Sequence, residues 1–152
     1  MIKNRTVQLI YQTVYCTLGL IGCIACLGIF DDIKMFRWDF YIYFTNLSNF
    51  LCLGVMFTAL IQTIKRKEDE FVRTTPLLKF IGMLGILLTF LVFNFVLAGA
   101  ADRDPQLNWR IGSLCFHVVL PIMYIADWFL FYERKKCTWH YPVISISFPL
   151  SY

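Results

Sequence analysis

FIGMLGILLTFLVFNFVLAGAA, residues 80–101, runs for 22 residues between Lys79 and Asp102 without a charged side chain. As a helix rising roughly 1.5 Å per residue it is about 33 Å long, enough to cross a hydrocarbon core of about 30 Å. Working outward, Phe40–Ile64 and Thr6–Phe30 each hold 25 uncharged residues. Ile111–Tyr132 holds 22 residues with Asp127 as its single charge. Inside lipid the backbone must satisfy its own hydrogen bonds, which leaves helices or closed barrels. The period-2 alternation of a lipid-facing barrel is absent. The sequence therefore predicts an all-α polytopic transmembrane bundle, one integral membrane domain over residues 1–152, with spans near 6–30, 40–64, 80–101 and 111–132. Cys137–Tyr152 is a fifth apolar stretch of 16 residues containing Pro142 and Pro149, read as a partial fifth span at 139–152.

Composition agrees. Of 152 residues, 59% are hydrophobic and 16% charged, too few charges to coat a soluble globule. That excludes a soluble domain, a disordered chain and a nucleic-acid binder. The net charge of +4 is spread in short basic runs between apolar stretches, which is a topology signal. Lys3, Arg5, Lys65, Arg66, Lys67, Arg73, Lys79, Arg134, Lys135 and Lys136 fall on one side, against Lys34, Arg37, Arg103 and Arg110 on the other. This split predicts a cytoplasmic N-terminus. Trp38 and Trp109 are expected at the outer interface, Trp128 and Trp139 at the inner one.

Leu20-Ile21-Gly22-Cys23 is similar to a lipoprotein cleavage box, but the apolar run continues to Phe30 and further spans follow, so it reads as the interior of span one. Five of the six cysteines lie inside spans. Cys23 and Cys26 have C-x-x-C spacing with no second pair, and small membrane cysteines usually serve close packing. No metal, cofactor or disulfide framework is expected. A single intramembrane histidine, His117, cannot supply bis-histidine haem ligation. Phosphate loops and nucleophile elbows are missing, and so are the internal repeats of an inverted-repeat transporter.

Polar residues inside spans are costly and are functional candidates. Counted from the expected outer boundary, Thr45 lies five residues into span two, His117 six into span four and Asn94 seven from the end of span three. All three then sit roughly 7–11 Å below the surface. Thr45, Ser48 and Asn49 follow i, i+3, i+4 and share one face, with Asn46 offset by about 100°. Pro121 stands four residues after His117 and has no N–H, so the carbonyl of His117 loses its helical partner and the helix is expected to kink. Chemistry compatible with this layer is acyl transfer, with Thr45 as nucleophile, His117 as general base, and Asn94 or Asn49 orienting the imidazole or donating to an oxyanion. Asp127, about 15 Å deeper on the same helix, cannot complete a triad. Its plainer role is an embedded acid paired near Arg134 or Lys135. For Thr45, Ser48 and the asparagines the plainer role is packing and back-bonding between helices.

Tyr43-Phe44-Thr45-Asn46-Leu47-Ser48-Asn49, Val92-Phe93-Asn94-Phe95-Val96-Leu97, His117-x-x-x-Pro121 with Asp127-Trp128, and the stretch from Tyr141-Pro142 to Pro149-Leu150-Ser151-Tyr152 appear in that order. Together they resemble the androgen-induced-gene-like family of polytopic membrane proteins, in particular its bacterial six-span branch, over roughly residues 36–152. Animal members are intramembrane threonine hydrolases that cleave esters of hydroxy fatty acids. The resemblance implies a lipid-ester substrate, with Thr45 and His117 as the catalytic pair, in a bacterial inner membrane. It also implies that this chain is truncated within the fifth of six spans. Two further readings stand beside it. One is a non-enzymatic scaffold or lipid-binding protein with membrane lipids as partners, and the other is a transporter using Asp127.

Overall fold

The computed structural model describes residues 2, 4–26, 43–65, 76–97, 111–131 and 138–151. Trp38, Trp109, Cys137, Arg134, Lys135 and most of the loop cations counted above lie outside them. Every described element is helical: α1 Arg5–Cys26, α2 Phe44–Lys65, α3 Pro76–Leu97, α4 Ile111–Leu130 and α5 His140–Leu150. Helices α1 to α4 are long and apolar enough to cross a membrane. Helices α1 to α4 pack side by side in chain order, α4 closes back on α1, and α5 lies against α3. The α2–α4 diagonal is the short one, and no substantial α1–α3 contact occurs.

The surface of this bundle is inverted relative to a soluble protein. Ile10, Val14, Val96, Ile122 and Phe129 face outward, and Phe95 is 77% exposed. Gln8, Gln12, Asn46, Ser48, Asn49, Thr63, Lys79, Thr89 and Asp127 are inside. Only a solvent of hydrocarbon makes that distribution favourable, since exposed backbone and polar groups then cost most. The chain is a multi-pass helical bundle of the membrane-embedded class.

One span boundary differs from expectation. α3 starts at Pro76, in the first-turn position where a missing N–H costs nothing, so Lys79 lies inside the bundle rather than at its edge. Its Nζ pairs with Asp127 Oδ2 of α4, and the two side chains are 6% and 1% exposed. Among the described residues the partner of Asp127 is therefore Lys79 on a neighbouring helix; Arg134 and Lys135, the partners expected from the sequence, lie outside them. Trp128 is also inside, edge-on to Phe80 with ring centroids 5.5 Å apart. Trp139 is exposed. α1 runs unbroken through Leu20–Cys23.

At the same end, Arg5 closes α2. Its Nε donates to the Thr63 carbonyl at 3.1 Å and its Nη2 to the Ile64 carbonyl at 2.7 Å. These carbonyls lie in the last described turn of α2, at the negative end of the helix dipole, so a guanidinium there suits both bonding and charge. The middle of the bundle is apolar: Tyr15, Cys16, Val55, Met56, Ile86, Phe116 and Leu120 form one cluster. Small residues bring the backbones together. A Cβ on Gly22 would stand 2.7 Å from Phe116, and one on Gly82 2.8 Å from the Tyr124 hydroxyl.

Candidate functional site

α4 is not a regular helix. Between Ile111–Leu114 and Leu120–Leu130 it widens into a π-helical turn, Cys115–Val119, and α3 carries a second such turn, Phe93–Leu97, facing it. Such single wide turns are uncommon and concentrate at functional positions. In the α4 turn the Leu120 N–H bonds the carbonyl of Cys115. Leu120 is the i+4 partner that Phe116 would otherwise use. The next carbonyl, His117, looks four residues on to Pro121, which has no N–H. Two successive carbonyls therefore lose their regular donors, one diverted and one absent.

Each is met by an asparagine from a different helix. Asn49 Nδ2 on α2 donates to the Phe116 carbonyl at 3.0 Å. Asn94 Nδ2 on α3 donates to the His117 carbonyl at 3.1 Å. The second hydrogen of each amide returns to its own helix four residues back, to Thr45 at 2.8 Å and to Phe90 at 2.8 Å. In a low-dielectric interior an unpaired carbonyl is expensive, so these four bonds hold α2, α3 and α4 at one level. The freed carbonyl of His117 foreseen from Pro121 is present, and its partner is Asn94. Both hydrogens of each amide are thereby committed to backbone, which leaves neither asparagine a donor for an oxyanion in this arrangement.

The His117 ring is fixed on two sides. It stacks on Phe93 with centroids 3.6 Å apart and planes 19° from parallel. Its Nδ1 lies 2.9 Å from the Ser113 carbonyl and 3.3 Å from the Ser113 hydroxyl. A carbonyl only accepts, so Nδ1 carries the proton and, in the neutral ring, Nε2 carries the basic lone pair. Ser113 and Phe93 did not emerge from the depth argument. Ser113 was legible in retrospect, because it sits at i−4 from His117 on the same helix face.

On α2 the polar face turns inward: Ser48 and Asn49 are buried. Asn46, expected off that face, is buried as well, whereas Thr45 is only half-buried. The reason is that α2 is covered on both flanks, by α1 and by α3 with α4 across the diagonal, so its buried arc is wide. Thr45 lies in the first turn of α2 as described. Pro121 is buried in α4. Asp127 is fully buried at the other end of α4, away from this layer.

Among the described residues no group of three or more His, Cys, Asp or Glu side chains is placed to hold a metal ion, and the five described cysteines, Cys16, Cys23, Cys26, Cys52 and Cys115, are free thiols. No protein-family model, curated protein or solved structure matches this chain.

Proposed function

We propose that the chain is an intramembrane ester hydrolase in which Thr45 is the nucleophile and His117 the general base, acting on lipid esters that enter from the bilayer. The observation that carries this reading is the Asn49 amide. It bonds the Thr45 carbonyl and the Phe116 carbonyl together, so the threonine turn and the histidine turn belong to one layer. The order and spacing of the motifs that resemble the androgen-induced-gene-like family point the same way. In the reaction, Thr45 Oγ1 attacks the ester carbonyl carbon as its proton passes to His117 Nε2. The tetrahedral species collapses, Nε2–H protonates the departing alkoxide, and acyl-Thr45 remains. Water then attacks the acyl carbon with the same nitrogen as base, releasing the fatty acid and restoring Thr45. The Ser113 carbonyl holds the tautomer this sequence needs. The position of Thr45 in the first turn of α2 places developing negative charge at the positive end of a helix. By the basic-residue count, the N-terminus lies in the cytoplasm of a bacterial cell and the layer faces the outer leaflet.

Turnover of lipid esters in native membrane vesicles tests the reading. Thr45→Ser is expected to retain turnover and Thr45→Val to abolish it, while His117→Ala reduces it by about 10²–10⁴-fold, the usual contribution of a general base. Equal turnover in all three variants and the parent contradicts the hydrolase.

A second reading, a non-catalytic scaffold, is favoured by the complete commitment of the Asn49 and Asn94 hydrogens to backbone carbonyls. It separates from the first on Thr45→Val, which a scaffold tolerates.

A further inference from the structure

We infer that Asn49 and Asn94 are positioning residues that meet the two carbonyls left without helical donors at the π turn of α4 and thereby aim His117, an inference that rests on the hydrolase reading only for its catalytic consequence. A π turn inserts one extra residue into the helical count. If the turn relaxed to α geometry, everything on its far side would rotate by about 100° relative to the near side. His117 lies within the turn, so its direction depends on which register is held. Relaxation returns the Leu120 N–H to Phe116 but leaves His117 facing Pro121, still without a donor. The π register instead exposes two adjacent carbonyls, and both are met from outside, by α2 and by α3. Asn49 thus rewards the irregular register, Asn94 meets the carbonyl that Pro121 leaves without a donor in either register, and together they tie this turn to the positions of two other helices. The facing π turn of α3, which bears Asn94 and the Phe93 ring stacked on His117, completes the mount.

Pro121 gives the inference a specific test. α4 is α-helical from Leu120 onward, so a residue with an N–H at 121 donates in α register to the His117 carbonyl. Pro121→Ala should therefore make Asn94 dispensable while leaving Asn49 needed for Phe116. The chain has two histidines, so with His140→Gln the imidazole ¹⁵N spectrum reports His117 alone. The parent is expected to show a single neutral species with the proton on Nδ1. Asn94→Leu is expected to give mixed tautomers or doubled signals, and a loss of ester turnover of about a hundredfold, the scale of a misplaced catalytic group. Asn94→Leu combined with Pro121→Ala should return the single Nδ1–H spectrum and most of the turnover, whereas Asn49→Leu with Pro121→Ala should not.

If Asn94→Leu leaves the spectrum unchanged, or if Pro121→Ala rescues neither spectrum nor folding, the inference is overturned. Recovery of folding by Pro121→Ala in an Asn94→Leu chain that otherwise fails to fold supports it. Rescue of the spectrum in a protein whose parent turns over no ester supports the positioning role and removes the hydrolase, so the two failures are distinguishable.

Discussion

Asp127→Ala, with Lys79 left in place, is expected to destabilise the bundle by about 3–5 kcal/mol, the cost of leaving one buried charge without its partner. Both side chains are almost wholly removed from the surface, and the pair joins α3 to α4 near the end that carries Arg5 and Lys65. The surrounding contacts give the ammonium no easy exit. Tyr124 donates to the Lys79 carbonyl at 3.3 Å, and the Cys52 thiol donates to the Gly82 carbonyl at 3.3 Å, closing α2 and α4 over this turn of α3. An ion pair of this kind need not make the protein more stable than an apolar equivalent, because desolvation offsets the attraction. Lys79→Met with Asp127→Leu is therefore expected to recover most of the loss. Unfolding of the purified protein in mixed micelles reads both quantities. A single variant as stable as the parent, or a double variant no better than the single, contradicts the pairing.

Gly112→Ala is expected to cost about 1–3 kcal/mol, as overpacking in a close-packed interior does. An added Cβ would stand 2.7 Å from the Cys26 Sγ and 3.1 Å from the Cys26 backbone nitrogen. The sulfur can turn aside, but the nitrogen belongs to the last residue of α1, so the two helices must separate where α4 begins. That separation occurs less than one turn before the π turn. Cys26→Ala in the same chain should relieve only part of the cost. Gly54→Ala is the matched control, because nothing lies within 4 Å of a Cβ there. Its expected effect is neutral or a gain of up to about 1 kcal/mol from helix propensity. The same micelle unfolding measurement applies. Equal effects at Gly112 and Gly54 contradict the proposed α1–α4 contact.

The helices were legible because uncharged length alone defines a span, but charge is a poor ruler where charges pair. Lys79 marked the edge of span three in the sequence and lies inside it in the structure, because Asp127 on α4 compensates it. The nearest cations along the chain from Asp127 were the natural partners to expect, whereas helix packing brought one from 48 residues away. The missing donor at Pro121 followed from proline chemistry. The π turn was not legible, since the Asn49 amide that meets the Phe116 carbonyl arrives from another helix. The same limit explains Asn46, whose burial reflects the neighbours on both flanks of α2 and not its own 100° offset.

The proposed function has a covalent step, acylation of Thr45 with His117 supplying the base. Site mapping by mass spectrometry after treating membranes with an acylating lipid-ester probe tests it most directly. The expected result is an adduct on the Phe44–Lys65 segment at Thr45, lost in Thr45→Val and strongly reduced in His117→Ala. An adduct on another residue, or one that forms as fast without His117, contradicts it.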